Sequence, residues 1–400
     1  MSERVRFKLP KAKKTDFLPR ITRVVLRNYR SIEVADVTLG PLSVLVGANG
    51  AGKSNFLDAL RFTADALRSG LENALEERGG IQEVRRRSSG HPTHFSVRLD
   101  VSLGDGIVGH YVFDIGARKP AGFVIKREEL QLGDLYFQVK EGKVERFTGG
   151  RAPAARDDSL FLANASGFPG FDAMYRALTS VAVYNLNPEE IRELQKPDAG
   201  TILRRDGRNI ATILRSMPVP TKDRIVEYLR AVVPGIKDVS RVKLGPSETL
   251  QFLQEDETET RKFYAANMSD GTLRALGVLT AVLQPSSAIF VGIEEPEIAL
   301  HPAAANALRD CLLEASQLRQ IAITSHSPEL LDDKGWDADS ILGVDASSGS
   351  TIITHLSGST RRSLRDKLMT VGDLLRAGQL VPDPSQVPTP AQLRLFEGPR

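Results

Sequence analysis

Gly47-Ala48-Asn49-Gly50-Ala51-Gly52-Lys53-Ser54 matches the pattern G-x-x-x-x-G-K-[ST] in full. Glycines at these positions let consecutive backbone N–H groups curl around a phosphate. The lysine then reaches β- and γ-oxygens, and the serine hydroxyl is a ligand for Mg²⁺. LSVLV (42–46) before the pattern has the composition of a buried strand, and apolar residues at helical spacing follow from Ser54, which is the context such a loop needs.

Three other stretches carry chemistry. AIFVGIEEP (288–296) is an apolar strand ending in carboxylates. Placed beside the phosphate loop at the C-terminal edge of a parallel sheet, Glu294 would hold Mg²⁺ through a water and Glu295 would polarise the attacking water as general base. TSHSP (324–328) ends the next strand, where His326 would hydrogen-bond a γ-phosphate and sense its loss. In NMSDGTLR (267–274), Ser269 is a natural N-cap and Gly271 leaves the backbone uncrowded, so the positive end of that helix suits an anion. The chain therefore has two phosphate-binding helix starts.

Other candidates are less pointed. Arg85-Arg86-Arg87, with His91 and His94, reads as a solvated charged loop before a phosphate or metal site. Glu255, Asp256, Glu257 and Glu259 lack metal-site spacing and read as surface. His301-Pro302 fits either a partner-facing loop or helix-capping geometry.

The elements that must position these groups alternate in type. Strands are expected at 21–27 and 42–46, with a turn and a second strand between them. Alternating, glycine-punctuated segments from His94 to about Val144 predict an antiparallel meander, and 148–170 a Gly/Ala/Pro-rich connection. Helices are expected at 188–196, 208–217, 221–233, after MSDGT and from about Pro302 to Gln317. Strands are expected at 249–255, 261–266, 288–293 and 319–325. The expected division is a basic arm over 1–20, a single head over 21–380 and a disordered proline-rich tail over 381–400. Within the head, 21–180 is the phosphate-loop lobe with the meander and 181–285 an inserted helical lobe. Residues 286–360 return the acidic strand and histidine to the first sheet, and 361–380 are helical.

Composition is that of a globular chain, 41% hydrophobic and 26% charged. The net charge of +3 is local: residues 1–20 hold seven Lys/Arg against two Asp/Glu, so the other 380 sum to −2. Such an arm is a flexible tail or a contact for DNA. No apolar run approaches the roughly 18 residues of a membrane span, and the N-terminus lacks the apolar core of a secretory signal. With the single cysteine, Cys311, a cytoplasmic location is expected.

Phosphate loop, serine-led helix, acidic strand, then histidine is the order in ABC-type ATPases, and MSDGT resembles their LSGGQ signature. LRNYRSI, VGANGAGKSNFLDAL, MSDGTLRALG, IEEPEIALHP and TSHSPELLD together resemble the stand-alone RecF/SMC-like ATPases of the AAA group, related to the ATPase domain of OLD nucleases. The resemblance implies an α/β fold, a P-loop NTPase of the ABC-ATPase head type: a mixed sheet with an antiparallel β layer and an inserted helical lobe. It implies ATP and Mg²⁺, with Gly47, Ala48, Asn49, Gly50, Ala51, Gly52, Lys53, Ser54 and Asn55 around the nucleotide and Arg30 near its phosphates or base. Ser54 and Glu294 would serve the metal; Lys53, Glu295 and His326 would serve catalysis. Ser269 and Gly271 would act in trans, on ATP held by the partner of a head-to-tail homodimer, which answers why the chain has two phosphate cradles.

The signature departs from LSGGQ at Asp270 and Thr272, and both Gln82 and NLNPEE (185–190) are candidates for a glutamine-loop position. No long heptad array of the SMC kind is present. About seventy residues follow His326, too few for the nuclease domain of OLD proteins, so if this chain controls DNA cleavage the effector nuclease is expected on another chain. The implied function is an ATP-hydrolysing dimeric switch in DNA repair or anti-phage defence, acting on DNA or on that effector. An ATP-binding scaffold with little turnover, or the energy-coupling subunit of a transporter, are the alternatives.

Overall fold

A computed structural model describes residues 19–397, apart from 89, 91, 105, 119–121, 199, 201, 256–258, 287, 302–303 and 347–348. Nearly all of the basic arm, and the expectations placed on His91, Asp256, Glu257 and Pro302, lie outside the described residues.

The strands in chain order are β1 (Arg20–Tyr29), β2 (Ile32–Thr38), β3 (Leu42–Val46), β4 (His94–Ser102), β5 (Val108–Ala117), β6 (Phe123–Leu132), β7 (Leu135–Lys140), β8 (Lys143–Phe147), β9 (Ala182–Tyr184), β10 (Ile236–Leu244), β11 (Ser247–Glu255), β12 (Thr260–Tyr264), β13 (Phe290–Glu294), β14 (Gln320–Ser325), β15 (Ile341–Asp345) and β16 (Ile352–His355). They form three sheets. The first, in the order β2-β1-β4-β5-β6-β7-β8, is wholly antiparallel. The second, β16-β15-β3-β14-β13-β9, is parallel except for the outer hairpin β15–β16. The third, β10-β11-β12, is a small antiparallel layer inside the inserted lobe. The fold is thus the expected α/β arrangement with a mixed sheet and an antiparallel β layer.

The second sheet is closed by distant parts of the chain. β3 pairs with β14 on one side and with β15 on the other, so an N-terminal strand lies between two from the last third. Every residue of β3 and β14 is buried, as a parallel strand covered on both faces requires. Gln320 ties the two sheets: its Nε2 donates to Ile21 O at 2.7 Å and Gly40 O at 3.0 Å, while its Oε1 accepts from Ile21 N.

The P-loop helix (Lys53–Arg68) separates the layers. Its apolar face packs on the first sheet through Phe62, which meets Tyr29, Phe95 and Phe113 with ring centroids 5.5–6.2 Å apart. The other face of the parallel sheet, with Val44, Val46, Ile293 and Ile323, packs on Leu273, Leu276 and Leu279 of the signature helix (Asp270–Leu283).

Three differences from expectation stand out. The connection over 148–170 contains helix Phe161–Ala165, whose first N–H groups are taken by Glu128 of β6: Phe161 N donates at 2.6 Å and Leu162 N at 2.9 Å. β9, β10, β15 and β16 appear where the apolar pattern is too short or irregular to announce a strand. The segment over 381–397, expected to be disordered, is docked instead: Leu395 is buried against Val25 and Val112, and Arg98 donates to the carbonyls of Arg394 and Leu395. Its prolines leave it one short 3₁₀ turn, Pro384–Gln386, and do not prevent this contact.

Glu128 also accepts from Tyr111 Oη at 2.9 Å. Glu128→Leu removes the acceptor of three buried donors and is expected to cost about 3 kcal/mol or more in urea unfolding. Burial pushes the Glu128 carboxyl up to about 7 against the pull of those donors. A raised carboxyl contributes stability below its ordinary pKa that is lost as pH rises through the folded value. The advantage of wild type over Glu128→Gln should therefore shrink between about pH 4.5 and 7, by about 3 kcal/mol.

Candidate functional site

The glycine loop leaves the end of β3 and enters the P-loop helix at Lys53. Gly50 and Gly52 have φ of 78° and 102°, which glycine adopts without strain. A Cβ on Gly47 would strike the Val344 carbonyl, and one on Gly52 the Thr351 hydroxyl, whereas Gly50 faces open space. Ala48, Asn49 and Gly50 form an exposed arc. A cradle that backbone alone can line, at the N-terminus of a 16-residue helix, fits a phosphate chain.

A hydroxyl brace holds the arc from outside. Thr351 Oγ1 donates to Ala51 O at 2.8 Å and lies 2.7 Å from Ser31 Oγ, which accepts from Asn55 Nδ2 at 2.7 Å. Arg30, with φ 49°, ion-pairs through Nε with Asp58 at 3.0 Å. Arg30 and Asn55 therefore stand in the frame around the loop. Ser54 is exposed in the first helical turn. Lys53 is 5% exposed, and its Nζ donates to Gly47 O at 2.8 Å and Ala48 O at 3.0 Å. Burial pulls its pKa down, and the carboxylates of Glu295 and Glu297 oppose that pull.

The acidic strand end lies two strands from the loop, with β14 between. Glu294 ends β13, and its carboxylate accepts from Arg205 Nη2 at 3.1 Å. Glu295 turns out of the sheet at φ 46°, its N–H donating to Thr324 O and Oγ1, both at 3.1 Å. Its carboxylate meets His326 Nδ1 at 3.0 Å, so an Nδ1–H donates to it. Glu297, behind them, accepts from Ser325 Oγ at 2.6 Å, and burial pushes its carboxyl up.

A residue without a part in the sequence argument fixes this strand end. Arg274, on the second turn of the signature helix, is 6% exposed. Its Nη2 donates to Glu294 O at 3.1 Å and Glu295 O at 2.9 Å, and its Nη1 to Leu186 O at 2.5 Å. Burial pulls its pKa down while Glu297, Glu295 and Glu294 oppose it. A lone cation within the apolar helix sequence TLRALGVLTAVL was the signal that could have found it. Arg205 has no comparable mark. Arg205, Arg274, residues 185–188 and Glu190 line an open cleft of about 360 Å³, and Arg274 ties Leu186 of this segment to the acidic strand. Gln82 is exposed and bonded to Arg85.

The signature terminus forms as expected. Ser269 caps the helix, its Oγ accepting from Thr272 N at 3.3 Å, and Ser269 and Asp270 are exposed. A Cβ on Gly271 would strike the Ala299 carbonyl in the loop after Glu295. Among the described residues, no hydrogen bond joins Ser269 or Gly271 to the chain's own glycine loop. Arg86 and Arg87 pair with Glu33 and Glu83, and no group of three His, Cys, Asp or Glu among the described residues could hold a metal.

A family model described as "AAA domain, putative AbiEii toxin, Type IV TA system" matches residues 42–332, which includes the glycine loop, Ser269, Arg274, the acidic strand end and His326. The chain belongs to this AAA family. Curated relatives of the AAA chain match over parts of their length. "Urease accessory protein 2" of Cryptococcus neoformans var. grubii is 25% identical over 61% of this chain and 18% of its own. "DNA replication and repair protein RecF" of Edwardsiella ictaluri is 51% identical over 25% of this chain and 31% of its own. "Structural maintenance of chromosomes protein 3" of Saccharomyces cerevisiae is 29% identical over 32% and 10%. The chain thus spans less than a third of each. In fold, the AAA chain is similar to an SMC head solved bound to the C-winged helix domain of ScpA, with a TM-score of 0.55 at 14% identity, covering 85% of this chain and 99% of that one. The chain is thus similar in sequence to parts of RecF and SMC proteins and in fold to an SMC head, and no helix among its described residues is long and apolar enough to cross a membrane.

Gly52→Ala should cost about 2 kcal/mol or more in thermal unfolding and abolish binding of a fluorescent ATP analogue, since φ 102° and the Thr351 contact both oppose a Cβ. Arg274→Met, read in the same two assays, should destabilise by about 3 kcal/mol while leaving the analogue's affinity within a few-fold, because it orphans carbonyls behind the acidic pair and not the loop.

Proposed function

We propose that the protein is an ATP-hydrolysing switch that works as a head-to-tail homodimer. The observation that carries this reading is the Glu295–His326 pair, turned out of the sheet beside a buried Lys53. The loop over Gly47–Gly52 takes the phosphates of ATP, and Lys53 exchanges its carbonyl partners for β- and γ-oxygens. Ser54 and Glu294, hard oxygen donors, are the residues that would hold Mg²⁺. Bound there, Mg²⁺ would neutralise charge on the β- and γ-phosphate oxygens. Arg205 leaves the Glu294 carboxylate when that happens.

Glu295 accepts the proton of the attacking water. Its fixed backbone turn and its bond to His326 hold the carboxylate in one orientation, so positioning supplies the advantage. His326 registers the γ-phosphate. Ser269 and Gly271 complete the partner's site, which the solvent-facing cap of the signature helix supports.

ATP closes the dimer and hydrolysis reopens it. The client is DNA or an effector nuclease, in repair or anti-phage defence, and the chain works in the cytoplasm. The named roles of RecF and of the toxin family support this assignment by kinship alone. An ATP-binding scaffold with little turnover is the second reading, favoured only by the mutual pairing of Glu295 and His326, which an activating client would have to rearrange.

Glu295→Gln should lower kcat about 100-fold or more with little change in KM, and in ATP should run as a dimer in light scattering. Wild type turning over as slowly as the variant, with the dimer still forming, would select the scaffold. DNA that raises wild-type turnover, less so as salt rises from 50 to 200 mM, would make DNA the client.

A further inference from the structure

The outer face of the antiparallel sheet, turned away from the P-loop helix, carries a built seat for an extended peptide. Val25 and Val112 form its apolar floor, opposite in alternation to the core-facing Val24 and Phe113. Beside them Arg98 is 3% exposed. Its Nε donates to Asp100 at 2.7 Å, its Nη1 to the carbonyls of Leu395 at 2.9 Å and Arg394 at 3.3 Å, and its Nη2 pairs with Glu397 at 3.2 Å. The guanidinium of Arg127 lies 4.2 Å from the Phe396 ring centre, and Glu397 N donates to Glu129 Oε1 at 3.3 Å.

The occupant is the chain's own segment 393–397, delivered by a proline-bearing span. The chain is pinned at Pro382 and Asp383, whose N–H donates to His355 O at 3.0 Å. From Pro384 to Gln392 it is largely exposed. The segment joins no sheet, and Leu395 is its one buried apolar side chain. That is a small contact, yet vacating the seat would uncover two valines and strip Arg98 of the two carbonyls and the carboxylate that the segment supplies. Such a seat favours an exchange of occupants over emptiness.

We propose that this seat is a peptide-docking site. The chain's own segment fills it in cis, and an extended segment of a partner protein with the same chemistry displaces it. That chemistry is set by the seat: an aliphatic residue for Val25 and Val112, an aromatic next to it for Arg127, then a carboxylate for Arg98. Two main-chain carbonyls are read by Arg98 whatever the side chains. Because the cis segment is tethered, it competes at an effective concentration near the millimolar range, so an incoming peptide must outcompete it.

The test uses the full chain and a fluorescein-labelled peptide of residues 390–397, PAQLRLFE. Fluorescence anisotropy should show weak, saturable binding to wild type and binding about tenfold or more tighter to Leu395→Ser, whose own strap is released. Arg127→Gln in the Leu395→Ser chain should weaken it several-fold, and a peptide with serine and alanine in place of its final leucine and phenylalanine should not bind. Trypsin cleavage after Arg394 in wild type should be accelerated by excess unlabelled peptide, a readout that needs no variant to fold. The proposal is overturned if a folded Leu395→Ser chain binds no peptide, or if cleavage after Arg394 follows only global unfolding and ignores the peptide.

Discussion

Burying an arginine is costly unless its charge finds partners, and Arg274 finds three in the main chain through its two Nη groups, the carbonyls of Leu186, Glu294 and Glu295, while its Nε stays buried without a hydrogen bond among the described residues. That choice joins three pieces of the machine. The guanidinium belongs to the signature helix, which on the proposed reading acts on the partner's nucleotide. Its acceptors are the end of the acidic strand, where the proposed base Glu295 sits, and Leu186, which lines the neighbouring cleft. Because Arg274 bonds to carbonyls it takes up neither carboxylate: that of Glu294 accepts from Arg205 and that of Glu295 from His326. On the proposed reading, this link between helix and strand end is a physical basis for tying dimer closure to catalysis.

The sheet supplies the second constraint. A glycine loop from residue 47 can face carboxylates from residues 294 and 295 only because β3 is inserted between β14 and β15. Neither end of the chain can build the site alone. The brace from Thr351 to the loop, across 300 residues of sequence, repeats this logic with single hydrogen bonds.

Much of this was legible in the sequence because it depends on local chemistry. A strand, a glycine loop and a helix announce themselves within twenty residues, and so do the acidic strand end and the serine cap of the signature helix. What could not be read is set by contacts far along the chain. The partners of Arg274 lie 20, 21 and 88 residues away, and Arg205 reaches Glu294 across 89. β9 has three residues and owes its existence to pairing with β13. Helix Phe161–Ala165 is started by a carboxylate 33 residues earlier. The 381–397 segment looks unstructured by composition, and it is ordered by distant contacts, at Pro382 and Asp383 with β16 and its neighbour Leu356 and at Leu395 with Arg98, Val25 and Val112.

The central claim is that the serine-capped helix completes a partner's site. It is tested most directly by mixing two inactive variants, Lys53→Ala and Ser269→Arg, and measuring ATP turnover. In a head-to-tail dimer, half of the randomly paired molecules combine one intact loop with one intact signature, so turnover should recover to roughly a quarter of wild type. A mixture no more active than the sum of its parts, with both variants still able to dimerise, would contradict action in trans.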